Sequence, residues 1–232
     1  MSKIILFHGS DHVIENPDFH LGKTNNDYGR GFYCTRELAM AMEWACKQNT
    51  DGFVNKYSLE QGYLNILNLL DGGYNILHWM ALLLKNRTFR LSNEIAVDAR
   101  NYIIDNFSID LKDFDIVIGY RADDSYFSFA ESFVQNGLSL RGLNQALRLG
   151  KLGEQTVLIS ERAFENLKFE GAELADTTIY YPKFIKRDSG ARETYRNKIR
   201  KSQSYKDDIF VLDILREEMK NDDPRIQRIL YK

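Results

Sequence analysis

Strand-forming runs open this chain, helix-forming stretches dominate its middle, and strand-forming runs return after residue 153, an order that constrains the fold more than any other feature. Lys3 to Phe7, Gly31 to Thr35, Phe53 to Leu59 and Leu64 to Leu69 read as strands from their short apolar or alternating character. Asn75 to Lys85 and Asn93 to Asn106 carry apolar residues at helical spacing. Phe114 to Tyr120 is a strand, Ser125 to Gln135 and Ser139 to Leu149 are helices, and Glu154 to Ser160 and Leu167 to Phe169 return to strand character around a short helix. A parallel doubly wound sheet needs strand and helix to alternate throughout; here they are segregated, so the expected class is α+β. No internal repeat and no Pro- or Gly-rich linker interrupts the chain. One domain over 1–232 is expected, with 178–232 a basic, mainly helical C-terminal extension.

Bulk properties narrow the function. The net charge of -2 hides an uneven distribution, since Lys183 to Lys206 holds nine Lys or Arg against Asp188 and Glu193. Lys183, Lys186, Arg187, Arg192, Arg196, Lys198, Arg200 and Lys201 include pairs three or four apart, interleaved with Tyr180, Tyr181, Phe184 and Tyr195. A helix bearing them suits a phosphate backbone or an acidic protein, although most charge runs are simply solvated faces. Cys34 and Cys46 offer neither a zinc pattern nor a disulfide framework. His12, His20 and His78 have no metal-ligand spacing, so no metal is expected. The apolar run Ile4 to Phe7 is too short for a signal segment, and no stretch reaches membrane-spanning length. A cytoplasmic location without membrane association is expected.

Two stretches carry the chemistry. In the first, Phe7-His8-Gly9-Ser10, an imidazole stands at a strand end beside a glycine that lets the backbone approach a ligand. The second, Asp27-Tyr28-Gly29-Arg30-Gly31-Phe32-Tyr33-Cys34-Thr35, places an aromatic side chain behind two glycines, and Thr35 near the N-cap of a following helix that carries Trp44. Each has a bland reading: a structural histidine, a tight turn, a core tryptophan.

Taken together they resemble the diphtheria-toxin and poly-ADP-ribose-polymerase branch of the ADP-ribosyltransferases, whose sites draw a His, a Tyr and usually a Glu from three successive motifs. The closest likeness is to bacterial domains found in toxin-antitoxin-like gene pairs. The resemblance implies a split β-sandwich with inserted and flanking helices. It assigns His8 to the ribose of NAD, the Gly9 backbone to the nicotinamide carboxamide, and Tyr33 and Trp44, eleven residues apart, to the two faces of the nicotinamide ring. Ser10, Gly31 and Thr35 join the expected cofactor-binding set, which also takes in Arg121 and Asp123. Ala41 departs from the family, which often has a small hydroxyl residue there.

The third motif of the family begins a strand with Glu, matched here by Gly153-Glu154-Gln155-Thr156-Val157-Leu158. Neighbouring strand residues point to opposite faces, so either Glu154 or Gln155 faces the site unless a bulge intervenes. Gln155 would make the triad His-Tyr-Gln and favour mono-ADP-ribosylation or weak activity. Arg121 and Asp123, on the loop after Phe114 to Tyr120, are further cleft candidates, with an N-cap as the bland reading for Asp123-Asp124. The loop from Ser139 to Gly153, with Arg141, Arg148 and Lys151, is expected to face the acceptor. The implied function is NAD-dependent transfer of ADP-ribose to a nucleic acid or protein, by a bacterial toxin or effector held by a neighbouring antitoxin. The alternative is a weak or inactive module that binds NAD, ADP-ribose or nucleic acid and regulates a partner.

Overall fold

The computed structural model describes residues 3–71, 73–122, 124–149, 154–199, 201 and 208–230. It is a mixed α+β fold in two compact units. The first comprises Met1–Leu70, Leu111–Arg121 and Leu152–Arg187, and the second Asp71–Asp110, Ala122–Lys151 and Asp188–Lys232.

The first unit holds two small sheets. Strands β1 (Lys3–Ser10), β3 (Gly52–Glu60) and β7 (Leu167–Ala175) form an antiparallel sheet in the order β1-β3-β7, where β2 is Phe32–Cys34. The second sheet runs β2-β6-β5-β4, with β4 (Ile66–Asn68) parallel to β5 (Ile116–Tyr120), and β6 (Glu154–Leu158) antiparallel to both β5 and β2. Leu6, Tyr57 and Leu59 of one sheet meet Phe32, Cys34, Ile116, Ile118 and Leu158 of the other in a single buried cluster. Burying such side chains contributes roughly 1.5–3 kcal/mol each, so this cluster fixes how the two sheets face one another. On the outer side of β1, helix α1 (Leu38–Ala45) packs through Ala41, Met42 and Ala45 against Phe7 and Val54.

The second unit is helical. Its α2 (Ile76–Asn86) buries Ile76, Leu77 and Trp79 through Leu84, and so runs through a core rather than along a surface. The side chain of Asn75 caps it by accepting from Leu77 N at 2.9 Å, and His78 Nδ1 accepts from Asn75 N at 3.1 Å. Helix α3 (Glu94–Phe107) is capped by Asn93, and α4 (Asp124–Val134) and α5 (Leu140–Ala146) follow.

Helix α7 (Thr177–Thr194) follows α6 (Glu161–Glu165) and β7; its residues to Arg187 belong to the first unit and the rest to the second. A π turn over Tyr195–Ile199 continues it, and α8 (Val211–Arg216) and α9 (Pro224–Leu230) end the described chain. Among the described residues no helix is long and apolar enough to cross a membrane.

Several boundaries depart from the sequence pattern. β1 continues through Gly9 to Ser10 because β3 supplies partners that far, Gly9 opposite Val54 and Ser10 opposite Phe53. β7 extends to Ala175 for the same reason, with a register shift between Lys56 and Tyr57. Helix α7 starts at Thr177 rather than near Lys183, because the Asp176 carboxylate accepts from Thr178 N at 2.7 Å and caps it there. Arg200 and residues 202–207 of the basic run lie outside the described residues.

Candidate active site

Besides packing through the buried cluster, the two sheets are joined by a backbone bridge between Phe7 and Thr35. Phe7 N–H donates to Thr35 O at 2.8 Å and Thr35 N–H to Phe7 O at 2.9 Å, which pairs the end of β1 with the chain leaving β2. An antiparallel ladder would next pair Gly9 with Tyr33. It does not, because His8 Nδ1 takes the Tyr33 carbonyl at 2.7 Å. The imidazole acts as a wedge where the strands part. Backbone groups alternate sides along a strand, so Gly9, like Phe7, turns its N–H and C=O away from β3 and toward this gap. Among the described residues neither group of Gly9 has a hydrogen-bond partner. A Cβ at Gly9 would lie 2.3 Å from Ala41 O and 2.7 Å from Ala45 N, so only glycine lets α1 close over the strand here.

A carbonyl can only accept, so His8 Nδ1 carries the hydrogen of that bond. Burial lowers the His8 pKa, against a smaller opposing effect of the bond to Tyr33. The ring, stacked on Phe32 at a centroid distance of 4.3 Å, is therefore neutral and offers the lone pair of Nε2.

A second group of residues lies on the opposite face of β2 and β6 from the buried cluster. Register places Tyr33 opposite Val157 and Gln155 opposite Gly119, so Tyr33, Val157, Gln155 and Gly119 share that face. The Tyr33 hydroxyl donates to Gly29 O at 2.7 Å and accepts from Tyr28 N at 3.0 Å, holding a turn in which Gly29 has φ 79°. Tyr28 is buried and lies across β5, its hydroxyl donating to Tyr120 O at 2.8 Å. Gln155, also buried, donates through Nε2 to that same carbonyl and to Asp27 Oδ2, each at 3.1 Å. Glu154 starts the strand on the other face and is exposed. Strand alternation thus brings Gln155 beside Tyr33 and Asp27, and leaves Glu154 in solvent.

The remaining sequence candidates scatter. Trp44 on α1 is half-buried, its backbone next to Gly9, with the Arg121 guanidinium 4.0 Å above its ring. Ser10 and Thr35 have structural partners: Ser10 Oγ accepts from Asn55 Nδ2 at 2.9 Å, and buried Thr35 accepts from Glu37 N at 3.1 Å. Gly31 lies so close to β6 that a Cβ would meet Leu158 O at 2.6 Å. Asp123, Gly153 and Lys151 lie outside the described residues. In the second unit, Arg141 pairs with buried Asp208 at 3.0 Å. On α7, Arg187 pairs with Glu43, and Arg192 with Asp188 at 2.8 Å, so part of the basic run is neutralised within its own unit.

The structure adds residues that motif reading passed over. Asp27, 5% exposed, touches Gln155, and fully buried Asn55 ties residues 10–14 to β3 by accepting from Ile14 N at 2.8 Å and donating to His12 O at 3.2 Å. An asparagine inside the apolar run Phe53-Val54-Asn55-Lys56-Tyr57 was the available signal, because a buried amide needs partners. Among the described residues no group of three His, Cys, Asp or Glu is arranged to hold a metal ion.

The fold and this junction define an α+β protein with a polar site where two small sheets diverge. The chain belongs to the family described as "Protein of unknown function (DUF3990)", whose model matches residues 4–169 and so spans all of the junction. No curated protein and no solved structure matches the chain.

Proposed function

We propose that this chain is an NAD-dependent mono-ADP-ribosyltransferase with a split-sandwich fold and a His8–Tyr33–Gln155 site. The observation that carries the reading is the wedge at the sheet junction: His8 occupies the Tyr33 carbonyl, and the Gly9 N–H and C=O lie side by side without partners among the described residues. One donor beside one acceptor is the complement of a carboxamide, such as that of nicotinamide. The neutral His8 Nε2 accepts a ribose hydroxyl, and Trp44 and Tyr33 supply aromatic surface for the pyridine ring.

In the reaction the bond from the ribose anomeric carbon to the nicotinamide nitrogen breaks, and its electron pair leaves with neutral nicotinamide. The developing oxocarbenium centre then takes a lone pair from the acceptor, whose proton passes to solvent. The Gln155 Oε1, accepting from the ribose 2'-hydroxyl, stabilises that centre more weakly than a carboxylate would, which suits single transfers over chain growth. The acceptor is a nucleic acid or a protein, and a toxin restrained by a neighbouring antitoxin in the cytoplasm is the setting that fits the resemblance.

The test is release of nicotinamide from NAD. His8→Ala and Tyr33→Ala should weaken NAD binding, Gln155→Ala should chiefly lower kcat, and Glu154→Ala should leave both unchanged. His8→Ala, Tyr33→Ala and Gln155→Ala all indistinguishable from the wild type in release would end the proposal. Labelled NAD incubated with cell lysate, then protease or nuclease, identifies the acceptor class. The uncharged Gln155 favours a second reading, a module that binds NAD without cleaving it; calorimetric binding with no nicotinamide release would select it.

A further inference from the structure

We propose that Asp27 is a positioning residue for the transfer reaction, acting through Gln155; this rests on the function proposed above. The position where the resembling enzymes carry a carboxylate holds an amide, yet a carboxylate is present one hydrogen bond behind it. Asp27 Oδ2 and Tyr120 O both accept from Gln155 Nε2 at 3.1 Å. Two acceptors on one nitrogen fix which end of the amide is which, and so direct Oε1 away from them, on the face shared with Tyr33. Asp27 is itself held in place, since the turn that follows it is clamped by the Tyr33 hydroxyl on Tyr28 N and Gly29 O and by Tyr28 on Tyr120 O.

Charge gives this arrangement a role beyond orientation. An anion accepting from one end of an amide draws its N–H proton and pushes electron density onto the carbonyl oxygen, a polarisation that strengthens along hydrogen-bonded chains in a water-poor setting. Gln155 Oε1 becomes a stronger acceptor, and the benefit is greatest when the sugar acquires positive charge, so it appears in kcat rather than in NAD affinity. Glu154, the other carboxylate of the motif, is exposed on the opposite face and cannot substitute.

Asp27→Asn separates this role from a structural one, because the asparagine oxygen still accepts from Gln155 Nε2 while the charge is gone. The expected result is a fall in kcat for nicotinamide release of about tenfold to a hundredfold, with KM for NAD within about twofold, in keeping with the loss of one indirect electrostatic contribution. The exchange variant Asp27→Asn with Gln155→Glu restores the charge one bond closer to the sugar and keeps an amide-to-carboxylate hydrogen bond; its kcat should return to the wild-type value or above. Undiminished kcat in Asp27→Asn, or an exchange variant no faster than Asp27→Asn, overturns the role of Asp27 while leaving the transferase reading intact. A wild-type chain that releases no nicotinamide overturns both. Thermal melts accompany each variant, and if Asp27→Asn does not fold, the exchange variant alone decides: kcat at or above wild type supports the proposal, and a loss beyond about tenfold refutes it.

Discussion

Gly119→Ala should be strongly destabilising alone and much less so when Tyr28→Phe accompanies it. A Cβ at position 119 would lie 2.2 Å from the Tyr28 hydroxyl oxygen and 3.1 Å from Cζ. Contact distances for such atoms are nearer 3.5 Å, so the ring must retreat by about 1 Å. That movement stretches the 2.8 Å bond from Tyr28 to Tyr120 O beyond hydrogen-bonding range, at a side chain that is only 3% exposed. Overpacking costs about 1–3 kcal/mol and the lost buried hydrogen bond about 1 more, so a total near 3 kcal/mol is expected.

Tyr28→Phe by itself should cost only about 1 kcal/mol, because Tyr120 O keeps the Gln155 amide as a partner. In the double variant the offending oxygen is absent and the nearest remaining contact is the tolerable 3.1 Å one, so a total of roughly 1–2 kcal/mol is expected. The coupling between the two sites is then about 2–3 kcal/mol, well above the few tenths seen for independent positions. Urea denaturation of the four proteins, with equal m-values as a control, measures it. Additive losses would refute the packing of Tyr28 across β5 and with it the support assigned to Gln155.

The other predictions address the junction directly. Gly9→Ala places a Cβ against the α1 backbone at Ala41 O and Ala45 N, so it should lower stability by about 1–3 kcal/mol and abolish NAD binding, read by thermal melt and calorimetry. Tyr33→Phe keeps the ring but removes the hydroxyl's bonds to Gly29 O and Tyr28 N; stability should fall by about 1–2 kcal/mol in urea denaturation, with kcat falling as the turn carrying Asp27 loosens. Burial lowers the pKa of both His8 and His78 in the folded state, so the folded chain binds fewer protons than the unfolded one. Their stabilising effect is complete above the unfolded value, about 6.5, and is lost as pH falls through the folded values. Melts from pH 7.5 downward should show that loss, reduced in His8→Gln; a pH-independent melting temperature would contradict it.

Much of the fold was legible because it depends on local pattern. Apolar alternation marked β3 and β5, helical spacing marked α2 and α3, and the segregation of these elements gave the α+β class. Boundaries failed where pairing or capping partners lie far away in sequence, as with β1 beyond Phe7 and β7 beyond Phe169. The His8 and Tyr33 motifs were visible because glycine beside a histidine or an aromatic residue is a short-range signal. Asp27 was not, since its meaning depends on Gln155, 128 residues away.

Sequence alone determined which residues are chemically able to serve: an imidazole, a phenol and a choice of carboxylate or amide in three separate motifs. Tertiary structure decided which of them share a face of a sheet. A strand's alternation is fixed by its backbone, but which face meets the site follows from the register of β6 between β2 and β5, and that register turned Glu154 to solvent and Gln155 inward. The parting of the sheets was likewise settled in three dimensions, where one side chain competes with one backbone N–H for a single carbonyl.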